Sequence, residues 1–285
     1  MMHELVNQYL GALIALFLVT AMFSLGLDLT LRQIVGSLRD RRLVFVSLLV
    51  NLLITPLLAI IITSLIPLDE GLRMGIVIYA IAAGTEGGPK VVQLIQGNTA
   101  YAFGLLGLLL VYTATAVPVI ISFAIPDSTI HTGSILIKLL FVVLLPISLG
   151  LFLRAQYQNV AQLLNPIAHR LSMFLLYFLV ALLVYANFEQ FLTVPVSALW
   201  AAALFFVLAF CVGYLAGGRD ISNRRALAIM TFARNGSVAM MIAADVFTDD
   251  PTVLVMVTIM TAAATVSGVL IITWRVVTRL WWKRL

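Results

Sequence analysis

Long apolar runs follow one another along the chain and are separated by short polar stretches. Nine such segments are predicted, and each approaches the roughly 20 apolar residues that a membrane-crossing helix needs. None alternates polar and apolar residues with a period of two, so the pattern does not predict a membrane barrel. A polar linker is predicted at 154–165. The nine segments cover residues 8–28, 43–66, 71–96, 99–124, 131–153, 166–187, 195–217, 224–247 and 251–274.

Two of the nine segments, the third and the eighth, are interrupted by polar, charged and flexible residues. Non-helical backbone at membrane depth is tolerated only where protein or a water-filled cavity surrounds it. Discontinuous helices at corresponding positions of two halves indicate the binding site of a transporter. We therefore predict a substrate or ion site formed by Glu86, Gly87, Gly88, Pro89, Lys90, Arg234, Asn235, Gly236 and Ser237.

The two interruptions lie in similar surroundings. In segments two to four, and again in segments seven to nine, a broken segment stands between two uninterrupted ones. Equivalent members are five segments apart, which gives the two triplets opposite orientations in the membrane. The pattern predicts an all-α polytopic membrane protein with about nine transmembrane helices. Its core domain, 43–124 and 195–274, is an inverted repeat with two discontinuous helices that cross.

Composition and charge fit a multi-pass membrane protein. Hydrophobic residues make up 62% of the chain and charged residues 10%, whereas a soluble domain carries about 25% charged residues. With the amino terminus outside, 13 of the 17 basic residues fall on the inner side, as the positive-inside rule requires. We expect a protein of the cytoplasmic (inner) membrane with a cytoplasmic carboxyl terminus and a basic tail at 275–285, and we expect no nucleic-acid partner despite the net charge of +5.

The sequence gives little support to an enzyme. The three histidines, His3, His131 and His169, lie near predicted membrane surfaces, and none has a second ligand at metal-binding spacing. Phosphate-loop, dinucleotide and nucleophile-elbow motifs are absent. We therefore predict no enzyme activity, no cofactor and no obligatory protein partner; the expected partners are the lipid bilayer and a small-molecule substrate.

Four stretches of the chain resemble motifs of the bile acid:sodium symporter family, and the chain resembles a bacterial homologue of that family. Met22-Phe23-Ser24-Leu25-Gly26-Leu27-Asp28-Leu29 resembles the family's Met-Phe-x-Met-Gly-Leu-x-Leu, and Gly87-Gly88 with Gly97-Asn98 resembles its Pro-Gly-Gly-Thr-x-Ser-Asn…Gly-Asn. Similar matches begin at Leu144 and Ala226. The resemblance implies a panel domain at 8–30 and 131–187 beside the core, and alternating access for organic anions driven by sodium.

The chain departs from the family pattern where sodium ligands are expected. Pro89-Lys90 replaces Ser-Asn, Met230 replaces Glu, and Arg234 replaces Gln, so that Asn235 is the best remaining match. Ammonium and guanidinium groups only donate hydrogen bonds and cannot bind sodium. We hypothesise that Lys90 and Arg234 stand in for the two coupling cations, each against the carbonyl end of a broken helix. No metal site is therefore predicted, and coupling to sodium or to protons, the latter through Glu86, stays open.

The sequence thus predicts a secondary transporter that moves an organic anion by alternating access and is not sodium-coupled in the family's usual way. A sodium-dependent symporter of bile-acid-like or other organic anions is the alternative, and a passive channel or membrane sensor is the alternative of another class. Lys90 could pair with Glu86 one turn away. Thr113 and Thr115 are expected to bond back to their own helix.

Overall fold

The computed structural model of the protein describes residues 2–30, 40–124 and 132–282, and these form twelve helices. No β-strand occurs in these three ranges, which confirms the all-helical prediction. The inner loop with Arg32 and Arg39, and Lys283 and Arg284 of the basic tail, lie outside the described residues. The first six helices are α1 (Met2–Asp28), α2 (Arg41–Leu65), α3 (Glu70–Ile81), α4 (Gly88–Leu94), α5 (Thr99–Ala124) and α6 (Thr132–Leu139, continued through Leu140–Leu144 into Leu145–Gln156). The others are α7 (Gln158–Ala186), α8 (Phe188–Thr193), α9 (Val196–Ala216), α10 (Ile221–Phe232), α11 (Gly236–Val246) and α12 (Pro251–Trp282).

Seven of these helices, within the described part of the chain, are long and apolar enough to cross a membrane. They are α1, α2, α5, α6, α7, α9 and α12, and they correspond to the seven uninterrupted segments. The two interrupted segments are pairs of shorter helices, α3 with α4 and α10 with α11. The total of nine membrane spans and the inverted symmetry of the two halves stay predictions.

Two of the long helices contain one wide turn each, directly before a proline. In α2 the wide turn is Val50–Ile54 and Pro56 follows; in α6 it is Leu140–Leu144 and Pro146 follows. Proline has no backbone N–H to donate and its ring crowds the preceding turn, so the regular hydrogen-bond ladder cannot continue unchanged. The wide turn in α2 matters for function because it contains Asn51, which contacts the site described below.

The helices α1, α6 and α7 pack against one another. α1 packs chiefly on α6 and α7, and Gly26 lies against the backbone of Ile147 and Gly150. α3 packs on α12, and α10 packs on α9. Large apolar side chains such as Phe45, Phe174 and Trp200 are exposed on the outside of the bundle, as expected for surfaces that face lipid rather than water.

One detail differs from the sequence-based expectation. The expected linker at 154–165 is largely helical, because α7 begins at Gln158 and continues through Pro166 to Ala186. Farther along the fold, the Nζ atom of Lys138 contacts Oδ1 and Oδ2 of Asp245 at 2.7 and 2.5 Å, which links α6 to α11.

Candidate functional site

The two interrupted segments touch at their interruptions. The first break, Ala82–Gly87, separates α3 from α4, and the second break, Ala233–Asn235, separates α10 from α11. Ala83 and Arg234 form an isolated antiparallel bridge, and the backbone N–H of Asn235 donates to the Ala82 carbonyl at 2.8 Å. The crossing of the two unwound segments therefore satisfies backbone groups that neither helix pair can satisfy alone.

Asn235 holds the two breaks together with its side chain as well. Its Nδ2 donates to the Gly84 carbonyl at 2.8 Å, while its Oδ1 accepts from the Val238 N–H at 3.1 Å and from the Ser237 hydroxyl at 2.6 Å. The Val238 bond makes Asn235 the N-cap of α11. Asn235 is completely buried, so one amide side chain fixes both the start of α11 and the conformation of the first break.

The first break needs glycine at its centre. Gly84 has a φ of +86°, which side-chain-bearing residues rarely adopt. A Cβ atom there would also lie 3.0 Å from Cβ of Leu109. The preceding carbonyl, that of Ala83, accepts from the hydroxyl of Thr113 on α5 at 2.7 Å. The expectation that Thr113 bonds back to its own helix was therefore wrong, because a free carbonyl in the neighbouring break offers a better acceptor, whereas Thr115 does bond back to the Val111 carbonyl.

Arg234 lies inside the protein, with only 2% of its surface exposed. Its two terminal nitrogens donate to Asn51 of α2, Nη1 to the side-chain oxygen at 3.2 Å and Nη2 to the backbone carbonyl at 3.4 Å. The Nε–H is buried without a hydrogen-bond partner among the described residues. No carboxylate in the described part of the chain lies within ion-pair distance of this guanidinium, so its charge is stabilised by dipoles alone.

Lys90 lies in the first turn of α4, and its side chain reaches away from the crossing. Its Nζ lies 3.4 Å from a carboxylate oxygen of Asp28, at the end of α1, and 3.5 Å from Nδ1 of His169 on α7. Asp28 also accepts a hydrogen bond from the side chain of Asn165. The possible Lys90–Glu86 pair does not form; the charge partner of Lys90 is Asp28. The expectation that each cation lies at the carbonyl end of a broken helix was wrong for Lys90, and Arg234 uses the carbonyl of α2 instead.

A cavity of about 260 Å³ lies between the crossing and the pair α1 and α7. Seven of the nine residues predicted from the sequence line it, whereas Pro89 and Asn235 are buried behind its wall. Phe17 of α1 and His169, Met173 and Tyr177 of α7 form the opposite side. The lining residues from the predicted set are Glu86, Gly87, Gly88, Lys90, Arg234, Gly236 and Ser237.

A crossing of two broken helices with a cavity beside it is the arrangement expected of a secondary transporter, and comparison with known proteins agrees. The sequence model of the Sodium Bile acid symporter family matches residues 14–194. The chain belongs to this family. A curated relative from Arabidopsis thaliana, "Probable sodium/metabolite cotransporter BASS1, chloroplastic", is 22% identical over 234 residues, which are 81% of this chain and 58% of the relative. The chain thus spans little more than half the length of that relative.

The Sodium Bile acid symporter family is named for a transport activity, and the long apolar helices of this chain support a multi-pass membrane protein. Its second break, 233–235, lies beyond the stretch that the family model matches. The first break lies within that stretch. Of the positions compared with the family's sodium ligands, Pro89 and Lys90 therefore lie within the matched stretch, whereas Met230, Arg234 and Asn235 lie beyond it.

Several carbonyl oxygens at the crossing already accept a hydrogen bond from the protein. The carbonyls of Ala82, Ala83 and Gly84 already accept hydrogen bonds from Asn235, Thr113 and Asn235 respectively. Met230, in place of the glutamate that the resemblance implies, is fully buried against Gly88. Ammonium and guanidinium groups cannot replace the lost ligands, because they carry no acceptor atom.

Sequence reasoning missed three residues of this site: Asp28, Asn51 and His169. Each lies at least 60 residues from its partner along the chain, and none stands in an interrupted segment. His169 was placed near a membrane surface, yet it lines the cavity. Asn51 had one detectable signal, an amide in an otherwise apolar run five residues before Pro56. Asp28 belongs to a motif quoted for the family resemblance, but nothing in that motif identifies its partner.

Proposed function

We propose that the protein carries a small organic anion across the cytoplasmic membrane by alternating access, without the family's usual sodium coupling. The observation that carries this proposal is the cavity at the crossing, whose wall contains Lys90 and Arg234. Both side chains donate hydrogen bonds and carry positive charge, which suits carboxylate or sulfonate groups. The volume of about 260 Å³ lies just below the roughly 300–1,000 Å³ of sites for drug-sized ligands, which favours a small anion over a sterol-sized one.

The orientation that we propose has the amino terminus outside and the carboxyl terminus in the cytoplasm. Basic residues concentrate at helix ends that this orientation places on one side, including Arg41 and Arg42 at the start of α2, Arg154 at the end of α6 and Arg219 before α10. The positive-inside rule assigns that side to the cytoplasm. On this orientation the Lys90–Asp28 pair lies toward the cytoplasm, and the cavity lies between it and the middle of the bilayer.

Alternating access requires two bodies that move relative to each other. We propose that the core is 43–124 with 195–274 and that the panel is 8–30 with 131–187. Two ion pairs join these bodies, Lys90 to Asp28 and Lys138 to Asp245. All four side chains are 25–42% exposed, and exposed ion pairs contribute only about 0–1 kcal/mol. Neither pair is strong enough to prevent the two bodies from separating.

Independence from sodium is supported by Arg234. Its guanidinium brings a permanent positive charge into the protein interior, and a sodium ion nearby would be repelled in a medium of low dielectric constant. The carbonyls of the first break are occupied by protein donors. The competing function is a sodium-dependent symporter, which the name of the Arabidopsis relative favours.

Purified protein in liposomes tests both functions. Uptake of radiolabelled pyruvate and of radiolabelled taurocholate is measured with a sodium gradient, with a potassium gradient and with neither, at fixed membrane potential. We expect saturable uptake of pyruvate that persists without sodium and that shows counterflow from preloaded vesicles. A steep sodium requirement supports the competing function instead, and uptake without saturation or counterflow contradicts a carrier altogether. Protein carrying Gly84→Val, which cannot adopt the first break, is the inactive control.

A further inference from the structure

We infer that His169 binds the coupling proton, so that the organic anion and a proton occupy the cavity together. The observation is a contact between the two bodies: Nζ of Lys90 on α4 lies 3.5 Å from Nδ1 of His169 on α7, and both residues line the cavity. This inference rests on the proposed function and adds the identity of the coupling ion. It assigns that role to His169 rather than to Glu86.

The chemistry of the contact fixes the state of the imidazole. An ammonium group can only donate a hydrogen bond, so Nδ1 of His169 must accept it and the ring must be neutral with its proton on Nε2. A proton added at Nδ1 removes that acceptor and places two cations 3.5 Å apart. An anionic oxygen between Lys90 and the protonated ring restores attraction, because it accepts a hydrogen bond from each.

The fixed charges around the cavity give the proton a reason to bind with the anion. Lys90 and Arg234 are positive, Glu86 is negative, and Asp28 forms an ion pair with Lys90. These four charges cancel. A monovalent anion therefore leaves the occupied site with one uncompensated negative charge, and a proton on His169 removes it. Imidazole is the side chain that changes charge between about pH 5 and 8.

Among the side chains that the structure describes, the other elements packed around His169 add no further charge. The groups that face it are Lys90 from α4, Asp28 from α1 and Glu86 from the first break. The side chains that α12 contributes to the cavity are uncharged, and Arg170, next to His169 on α7, is exposed. Because binding free energies are reciprocal, an anion that favours the protonated ring must itself bind more tightly as the pH falls.

The first test needs no substrate. Nitrogen-15 spectra of histidine-labelled protein are recorded between about pH 5 and 8, the range in which imidazole titrates, and His169→Gln assigns the His169 signals. Without an anion we expect a neutral ring protonated at Nε2 at high pH, because a second proton would place two cations side by side. A ring protonated at Nδ1, or one already doubly protonated at the alkaline end of the range, overturns the inference.

The second test measures proton uptake with a pH indicator when pyruvate or taurocholate binds in weakly buffered detergent solution. Both anions remain ionised in this range, so any proton taken up binds to the protein. We expect uptake of up to about one proton per bound anion and about tenfold tighter binding at the acid end, within the usual range for coupled sites. We expect His169→Gln to lose both effects while it still binds the anion. The matched control is Lys138→Gln, which breaks the ion pair between Lys138 and Asp245 and leaves His169 unchanged. It should keep both effects.

The outcomes separate the two proposals. Sodium-independent anion binding with no proton uptake and no pH dependence overturns the role of His169 and leaves the proposed function intact. Proton uptake that persists in His169→Gln and vanishes in Glu86→Gln assigns the proton to Glu86 and also overturns it. Binding of neither anion to folded protein contradicts the proposed function, and the coupling role fails with it.

Discussion

The first and second breaks interrupt their helices in similar sequence surroundings, yet they have different tasks. The first break is six residues long, 82–87, and its carbonyls at Ala82, Ala83 and Gly84 accept hydrogen bonds from elsewhere. The second break is three residues long, 233–235, and it supplies donors from Asn235. The first break thus supplies three acceptors, and Asn235 of the second break donates to two of them, through its backbone N–H and its side-chain amide.

Their charged residues differ in the same way. Arg234 of the second break is buried and bound to α2, whereas Glu86 of the first break and Lys90 just after it lie partly exposed along the cavity. A group that is fixed and desolvated suits a structural or electrostatic role. Groups that reach a cavity suit contact with substrate and movement. We propose that the second break holds the site together and that residues at the first break contact the substrate.

The substitution Asn235→Ala should have the largest effect, because it removes the clamp between the breaks. It deletes the bonds to the Gly84 carbonyl, the Val238 N–H and the Ser237 hydroxyl. Leaving a buried polar group unsatisfied costs about 1–3 kcal/mol, so a total loss of about 3 kcal/mol or more is expected. The measurements are the thermal unfolding temperature in detergent, monitored by fluorescence, and uptake into liposomes. Both the unfolding temperature and the uptake should fall sharply.

The matched variant is Asn235→Asp. It keeps an acceptor for Val238 and Ser237 but has no donor for the Gly84 carbonyl, so it isolates the contact between the breaks from the cap of α11. We expect a stability between that of Asn235→Ala and the native protein. If Asn235→Ala unfolds at the native temperature, the second break does not hold the first.

The substitution Arg234→Met should abolish transport while it leaves the fold intact. Loss of the two bonds to Asn51 destabilises the protein by about 1–2 kcal/mol, but removal of a buried charge without a carboxylate partner offsets that loss. We expect the unfolding temperature to change little and uptake to fall at least about 100-fold, since about 3 kcal/mol of electrostatic attraction is removed from the site. Arg234→Lys, which keeps the charge, should recover part of the uptake.

Arg234→Met also tests the absence of sodium coupling. Removal of the guanidinium takes away the charge that repels a cation from the crossing. We therefore expect native uptake to be independent of sodium and sodium to bring no more than a partial recovery of uptake in Arg234→Met. If native uptake requires sodium, the idea that Arg234 occupies the place of a coupling ion is wrong.

The interruptions themselves were predictable from the sequence, because glycine, proline and charge are conspicuous in an apolar run. Long helices were predictable for the same reason, since apolar composition over about 20 residues indicates a membrane span. The partners across the fold were not. Arg234 donates a hydrogen bond to Asn51, which lies 183 residues away along the chain. Asn51 is part of the wide turn of α2, and the two residues come together only in the folded protein.

Local rules also failed where a tertiary contact offered a better partner. Thr113 was expected to bond to its own helix, but it donates to the Ala83 carbonyl 30 residues away. Lys90 and Glu86 have the spacing of a helical ion pair, yet the helix starts only at Gly88, so Glu86 lies outside it and the spacing rule does not apply. The backbone break that identifies the site is what removes the geometry on which the local rule depends.

The substitution Lys90→Met should weaken substrate binding with little effect on stability. The pair with Asp28 is 42% and 25% exposed, and such pairs contribute no more than about 1 kcal/mol. Loss of the ammonium from the cavity wall should weaken binding of pyruvate about tenfold, which corresponds to about 1.4 kcal/mol. The measurement is equilibrium binding beside thermal unfolding. Lys138→Met breaks the other ion pair outside the cavity and should leave affinity unchanged; equal losses in both variants would contradict the different tasks of the two breaks.

The smallest effect, and the only one of opposite sign, is expected for Glu86→Gln. The carboxylate repels an anion in the same cavity, and its removal at a separation of about 7 Å in a wet environment is worth about 0.7 kcal/mol, or about threefold in affinity. Binding of pyruvate should therefore tighten about threefold. Glu86→Asp keeps the charge and should bind as the native protein does. Weaker binding in Glu86→Gln would mean that the carboxylate holds Lys90 or Arg234 in place for the anion, and the first break would then share the holding role that we assign to the second.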